Sequence, residues 1–138
     1  MTTANWVFDK AIHLMDEQNE NNGQTQTQDT KEYRLRTLSI LNILRHEVYG
    51  YSDTYVTSLD GRRSVLPEIL SFDQDLGLDD VVAQAVLPYG LAAHLLLEEN
   101  PTMASFFNQR YQELMVTLAA RKPAVYEDIR LEYGGVDW

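Results

Sequence analysis

The chain has 138 residues, 44% of them hydrophobic, the size and composition of one globular domain and too apolar for a disordered segment. It contains no cysteine, which excludes a disulfide scaffold, a thiolate metal site and a thiol nucleophile. A net charge of −10 and a sequence pI near 4.6 set it against nucleic-acid phosphates and anionic membranes, while still allowing a channel lining past which DNA slides without sticking.

Met1 to Lys10 lacks a basic start followed by an apolar run, so no signal peptide is expected. Thr2 or Thr3 can cap a first helix. Val7, Ala11, Leu14 and Met15 then share one helical face, widened by Trp6, Phe8 and Ile12. Residues 18–30, rich in Gln, Asn and Thr around Gly23, have no hydrophobic anchor and are expected to form a flexible polar loop.

The second helix is the clearest. Asp29 or Thr30 can cap it, and Glu32 suits the positive end of its dipole. Tyr33, Thr37, Ile40, Leu41, Leu44 and Val48 form a stripe at helical spacing. Leu35, Leu38 and Ile43 lie off it, so the helix could be covered on two sides. Gly50 is a natural stop.

Residues 51–67 change pattern. Thr54, Tyr55, Val56 and Thr57 favour extended chain, Asp60-Gly61 signals a hairpin turn, and Val65-Leu66 is the expected return strand. Such a hairpin must lean on the helices or on a partner, which makes it a candidate contact arm; a structured surface loop is the equal alternative. Arg62 and Arg63 at its tip are a basic spot in an acidic protein, a solubilising tip or a contact for carboxylates.

Val81 to Leu97 is the longest uncharged stretch; it falls short of the roughly 20 apolar residues of a membrane span and reads as a buried helix. Leu78, Val82, Ala85, Val86, Tyr89, Ala93 and Leu96 share a face of this third helix, and Pro88 predicts a kink or restart within it. Gly90 permits close approach of another backbone. Asn100-Pro101 is the cap and first position of a fourth helix. That helix carries Met103, Phe106, Phe107, Arg110, Tyr111, Leu114 and Leu118; the aromatic set Phe106, Phe107 and Tyr111 is expected in the core, with an interface as the alternative. The tail, 122–138, holds Tyr126, Ile129, Leu131, Tyr133 and Trp138, and is expected to dock on its own core or a neighbour.

The expected fold is therefore mainly α: one small bundle of about four helices, with a short hairpin or extended arm and an extended C-terminal tail. Chemistry finds little purchase. Asp73, Asp75, Asp79 and Asp80 resemble the start of a calcium loop, but its sixth position is Leu78 and its twelfth Gln84, so a helix N-terminus is the better reading. His94 and Glu98 have metal-ligand spacing but no third ligand, and no nucleophile elbow or phosphate cradle occurs. No catalytic residue, cofactor or metal is expected. The interface candidates are Tyr55, Arg62, Arg63, Tyr126, Tyr133 and Trp138.

Three stretches carry a resemblance to the head–tail connector, or adaptor, proteins in the neck of tailed bacteriophages. They are Leu38-Ser39-Ile40-Leu41-Asn42-Ile43-Leu44 followed by Ser52-Asp53-Thr54-Tyr55; Leu87-Pro88-Tyr89-Gly90-Leu91-Ala92-Ala93; and Ala104-Ser105-Phe106-Phe107-Asn108-Gln109-Arg110-Tyr111 with Tyr133-Gly134-Gly135. They are not catalytic motifs, and the Gln-rich loop has no counterpart. The resemblance implies a virion protein made in the host cytoplasm, forming a ring, dodecameric by expectation, below the portal protein. DNA would pass through its lumen, and a stopper or tail-completion protein would bind its far side. The competing reading is a small acidic regulator or DNA mimic that occupies a host DNA-binding protein. Such a mimic needs carboxylates along one face, whereas the acids here are scattered over helix ends and loops.

Overall fold

The computed structural model describes residues 1–17, 20–56 and 65–121. Among these residues five α-helices run in order: α1 (Ala4–Met15), α2 (Lys31–Val48), α3 (Asp80–Ala85), α4 (Leu87–Leu95) and α5 (Pro101–Arg121), with a 3-10 turn at Tyr49–Tyr51 after α2. The molecule is mainly helical, a small bundle, as the periodicity predicts. Among the described residues there is no strand, and one isolated antiparallel bridge joins Thr3 to Asp75.

Local chemistry sets each helix boundary. The Thr3 hydroxyl accepts from the Trp6 amide at 3.3 Å and starts α1. That helix ends at Asp16, whose φ of 58° is left-handed and whose amide turns back to the His13 carbonyl. Ala4, Val7, Phe8, Ala11, Ile12 and Met15 form its buried face, so Phe8 and Ile12 are core while Leu14 is only partly covered. Val86 separates α3 from α4, and Pro88 falls in the first turn of α4, where its missing N–H costs nothing. This is the restart that Pro88 predicts. Asn100 caps α5 by accepting from the Met103 amide at 3.2 Å.

At the centre lies α4, against each of α1, α2, α3 and α5. Its Leu87, Leu91, Ala92 and Leu95 are buried, each leucine contributing roughly 1.5–3 kcal/mol by leaving water. From α2 come Tyr33, Leu41, Leu44 and Val48; from α5 come Ala104, Phe107 and Tyr111.

Segment 65–79 is irregular but tightly held along α2. The Asn42 side chain donates to the Ile69 carbonyl at 3.0 Å and accepts from its amide at 2.9 Å. Arg45 is buried, and its guanidinium donates to the carbonyls of Leu76 (2.8 Å) and Pro67 (2.9 Å) and to the Asn42 side chain (3.0 Å). On the other side the segment meets α1: Leu76 N–H donates to the Thr2 carbonyl and Asn5 N–H to that of Phe72, both at 3.0 Å. Arg34 stacks 3.7 Å from the Phe72 ring and 5.1 Å from that of Phe8, tying α2 to both.

Four expectations need correction. The hairpin finds no support among the described residues: Thr54 sits in a turn, and neither 55–56 nor 65–66 is strand. The polar groups there have other partners. The Thr54 hydroxyl donates to the Gly77 carbonyl at 2.7 Å, and Asp53 N–H to the Asp79 carboxylate at 2.8 Å. The turn at Asp60-Gly61 lies outside the described residues, as do Gln18, Asn19 and the tail. The 20–30 loop is anchored after all, by hydroxyls rather than apolar groups. Thr25 is buried and donates to Asp9 at 2.7 Å, and Thr30 is buried and donates to the Thr25 carbonyl at 2.6 Å. Thr30 therefore precedes α2 without capping it through its side chain. Finally, Gly50 lies within the 3-10 turn and is not among the left-handed glycines, so α2 tightens rather than stopping there.

Candidate functional site

Neighbouring residues of a helix do not share a face, so where a helix is covered on one side an off-stripe apolar residue is turned outward. On α2, Leu41 and Leu44 are buried while Leu35 is 76% and Ile43 61% exposed. On α5, Phe107 and Tyr111 are buried while Phe106 is 57% exposed. The aromatic set thus divides, with two rings in the core and Phe106 outside. Leu38 is partly buried, whereas Leu35 and Ile43 on the same side of α2 stay open among the described residues.

Beside Ile43 runs an open groove of about 770 Å3, between the outer face of α2 (Ser39, Asn42, Ile43, His46, Glu47) and the segment carrying Leu66 and Glu68. Arg45 and Asn42 build its far wall, because their bonds to Pro67 and Ile69 hold that segment against the helix. Phe106 is held as well. Its ring stands edge-on to Phe107 with centroids 5.7 Å apart, and Phe107 leans on Tyr89 at 6.3 Å. A smaller recess of about 290 Å3 lies where α4 gives way to α5, lined by Ala93, His94, Leu97, Ala104 and Asn108 among others.

Asp73, Asp75, Asp79 and Asp80 each have a partner of their own. Asp73 accepts from the Asn5 side chain at 2.9 Å and Asp75 from Gly77 N–H at 3.1 Å. Asp79 caps α3, accepting from Val82 N–H at 3.0 Å. Burial pulls its carboxyl upward, but the amides of Val82, Asp53 and Val81 and the Ser52 hydroxyl outweigh this and hold it below the usual range. Asp80 is also held low, by the Thr2 hydroxyl and the terminal amine of Met1. The Tyr33 hydroxyl donates to Glu99. Burial, then that carboxylate and Glu17 nearby, push Tyr33 well above the ordinary phenol value. Glu17 is raised by burial and by Glu99, Asp16 and Asp29. Among the described residues no three His, Asp or Glu side chains converge as a metal site, and His13, His46 and His94 belong to three different helices.

Of the six interface residues named from sequence, Tyr55 alone is described. It is 41% exposed, its ring edge-on to Tyr49 at 5.2 Å. Arg62, Arg63, Tyr126, Tyr133 and Trp138 lie outside the described residues. Sequence reasoning missed the groove and placed Phe106 in the core before an interface, although the off-stripe positions of Leu35 and Ile43 and the doubled Phe106-Phe107 signalled both surfaces.

Compared with known proteins, the chain matches no family model, no curated protein and no solved structure. No described helix is long and apolar enough to cross a membrane.

Proposed function

We propose that the chain is a structural virion protein, a head–tail connector that forms a ring below the portal of a tailed bacteriophage and joins it to the tail. One observation carries the reading. The runs 38–44, 87–93 and 104–111 of the three stretches that resemble connector proteins lie within α2, α4 and α5, which pack together with α4 in the middle; Ser52 to Tyr55 follow α2, and 133–135 lie outside the described residues. The resemblance therefore spans a packed unit rather than scattered words. The outward faces of α2 and α5 supply separate apolar surfaces, as a ring subunit needs on its two flanks. Among the described residues Asp73, Asp75 and Asp79 are each committed to a separate cap or loop bond, which counts against a DNA mimic.

Electron microscopy of lysate from a phage with this gene disrupted tests the proposal. Tailless heads, empty or leaking DNA, beside free tails are expected. Normal tailed particles in normal yield would overturn it.

A further inference from the structure

We propose that the outer face of α5 in one copy, Met103, Phe106 and Arg110, seats in the Ile43 groove of a second copy, head to tail. The contact rests on the connector reading only for its ring; the pairing of the two faces rests on the following geometry.

Each half exposes a large apolar side chain on a helix whose opposite face is core, and Ile43 and Phe106 are both more than half exposed. Both are mounted rigidly, Ile43 beside the Arg45–Pro67 clasp and Phe106 on the buried Phe107 ring. Met103, Phe106 and Arg110 fall at i, i+3 and i+7 and so form one stripe. Met103 is partly exposed, and its flexible thioether can fill an irregular groove floor.

The charges are complementary. Glu47 and Glu68 flank the groove, and His46 is the basic residue among its described lining. Arg110 flanks Phe106. Its own partner is Glu113 at 3.6 Å, with both side chains about half exposed, and such a pair is weak and easily exchanged. In a chain of net charge −10, two copies repel unless a local cation meets local acids. Arg110 provides that match, and guanidinium suits carboxylates. Paired head to tail, two faces with no residue in common make a heterologous contact, which generates a ring or an open filament.

The absence of cysteine makes the test direct, because introduced thiols report alone. Full-length Ile43→Cys and Phe106→Cys proteins, each checked for unchanged helical circular dichroism, are concentrated separately and mixed, then mildly oxidised. The expected result is a disulfide-linked dimer in the mixture and in neither protein alone, with a ladder from the doubly substituted chain. Arg110→Glu should lower the mixed yield about tenfold, and Glu68→Arg in the partner should restore it. A disulfide-linked dimer from either single variant by itself, or no disulfide in the mixture, would overturn the proposal. If crosslinking fails while the gene-disrupted lysate contains tailless heads, the connector reading stands and this contact falls. If crosslinking succeeds while the particles keep normal tails, the contact stands and the connector reading falls.

Discussion

The Tyr111 ring occupies the space that a side chain on Gly90 would fill: a Cβ added there would lie 2.8 Å from both Cδ2 and Cε2 of the ring, with Leu44 Cδ1 at 3.2 Å. The close approach allowed by Gly90 is thus to a ring of α5, not to another backbone. Tyr111 is itself buried and cannot swing away. Alanine normally stabilises a helix interior by up to about 1 kcal/mol over glycine. Here overpacking, roughly 1–3 kcal/mol, opposes that gain. Gly90→Ala is expected to lower the melting temperature and Gly90→Val to lower it further. A Gly90→Ala protein melting at or above the wild type would show that α5 yields freely.

Arg45 is expected to be the most sensitive charged position. It is 3% exposed and bonds to two carbonyls and a side-chain amide, while Asp75 acts on it only through space. Burial pulls its pKa down, and Asp75 partly offsets this. Arg45→Leu removes the charge but strands the carbonyls of Leu76 and Pro67, at a cost of roughly 1–3 kcal/mol for each buried group left unpaired. Arg45→Lys should recover little, because an ammonium cannot span both carbonyls as the planar fork does. Denaturant unfolding measures the loss, and limited proteolysis within 65–78 should accelerate in parallel. Stability within about 0.5 kcal/mol of wild type for Arg45→Leu would show the clasp to be incidental.

The helices are legible in the sequence because their physics is local. Thr3, Asp79 and Asn100 are good caps at the right distance from apolar stripes, and Pro88 announces the α3–α4 break. What escapes is whatever depends on distant partners. Thr54, Tyr55 and Val56 have strand propensity, yet Gly77 and Asp79, more than twenty residues on, take the bonds of Asp53 and Thr54. Periodicity marks Ile43 and Phe106 as off the core stripe. It cannot show that segment 65–68, bound by Asn42 and Arg45, builds a groove wall beside Ile43.

Stability should fall in acid through Asp79, whose carboxyl is held below its ordinary 3.8 in the fold. A lowered carboxyl pKa contributes stability above the unfolded value, and that stability is lost as pH falls through the folded one. The loss therefore belongs below about pH 4. Asp79→Ala removes the α3 cap and costs about 1 kcal/mol at pH 7. Asp79→Asn keeps an acceptor for Val82 and should flatten the acid limb of a stability profile. Glu17 has the opposite sign. Its raised pKa means folding disfavours the ionised form, so Glu17→Gln should stabilise the protein at pH 7, with the gain vanishing near pH 4. Identical acid limbs for wild type and Asp79→Asn would remove Asp79 from the account.

Thr30 separates two jobs that one hydroxyl can perform at a helix start. Ordinarily it accepts from an amide of the first turn, and Asp performs as well or better. Here it donates to the Thr25 carbonyl at 2.6 Å and accepts from Thr27 N–H at 2.9 Å, closing the 25–30 turn rather than capping α2. A carboxylate cannot donate, and it would face the Thr25 carbonyl oxygen in a site with no exposed surface. Thr30→Ser should therefore stay within about 1 kcal/mol of wild type, whereas Thr30→Asp should lose roughly 1–3 kcal/mol despite being the better cap. Hydrogen exchange at Thr27 N–H gives an independent readout, since its acceptor is the same hydroxyl and it should exchange faster in Thr30→Val. A Thr30→Asp protein as stable as wild type would assign Thr30 to capping and leave the loop anchored through Thr25 and Asp9 alone.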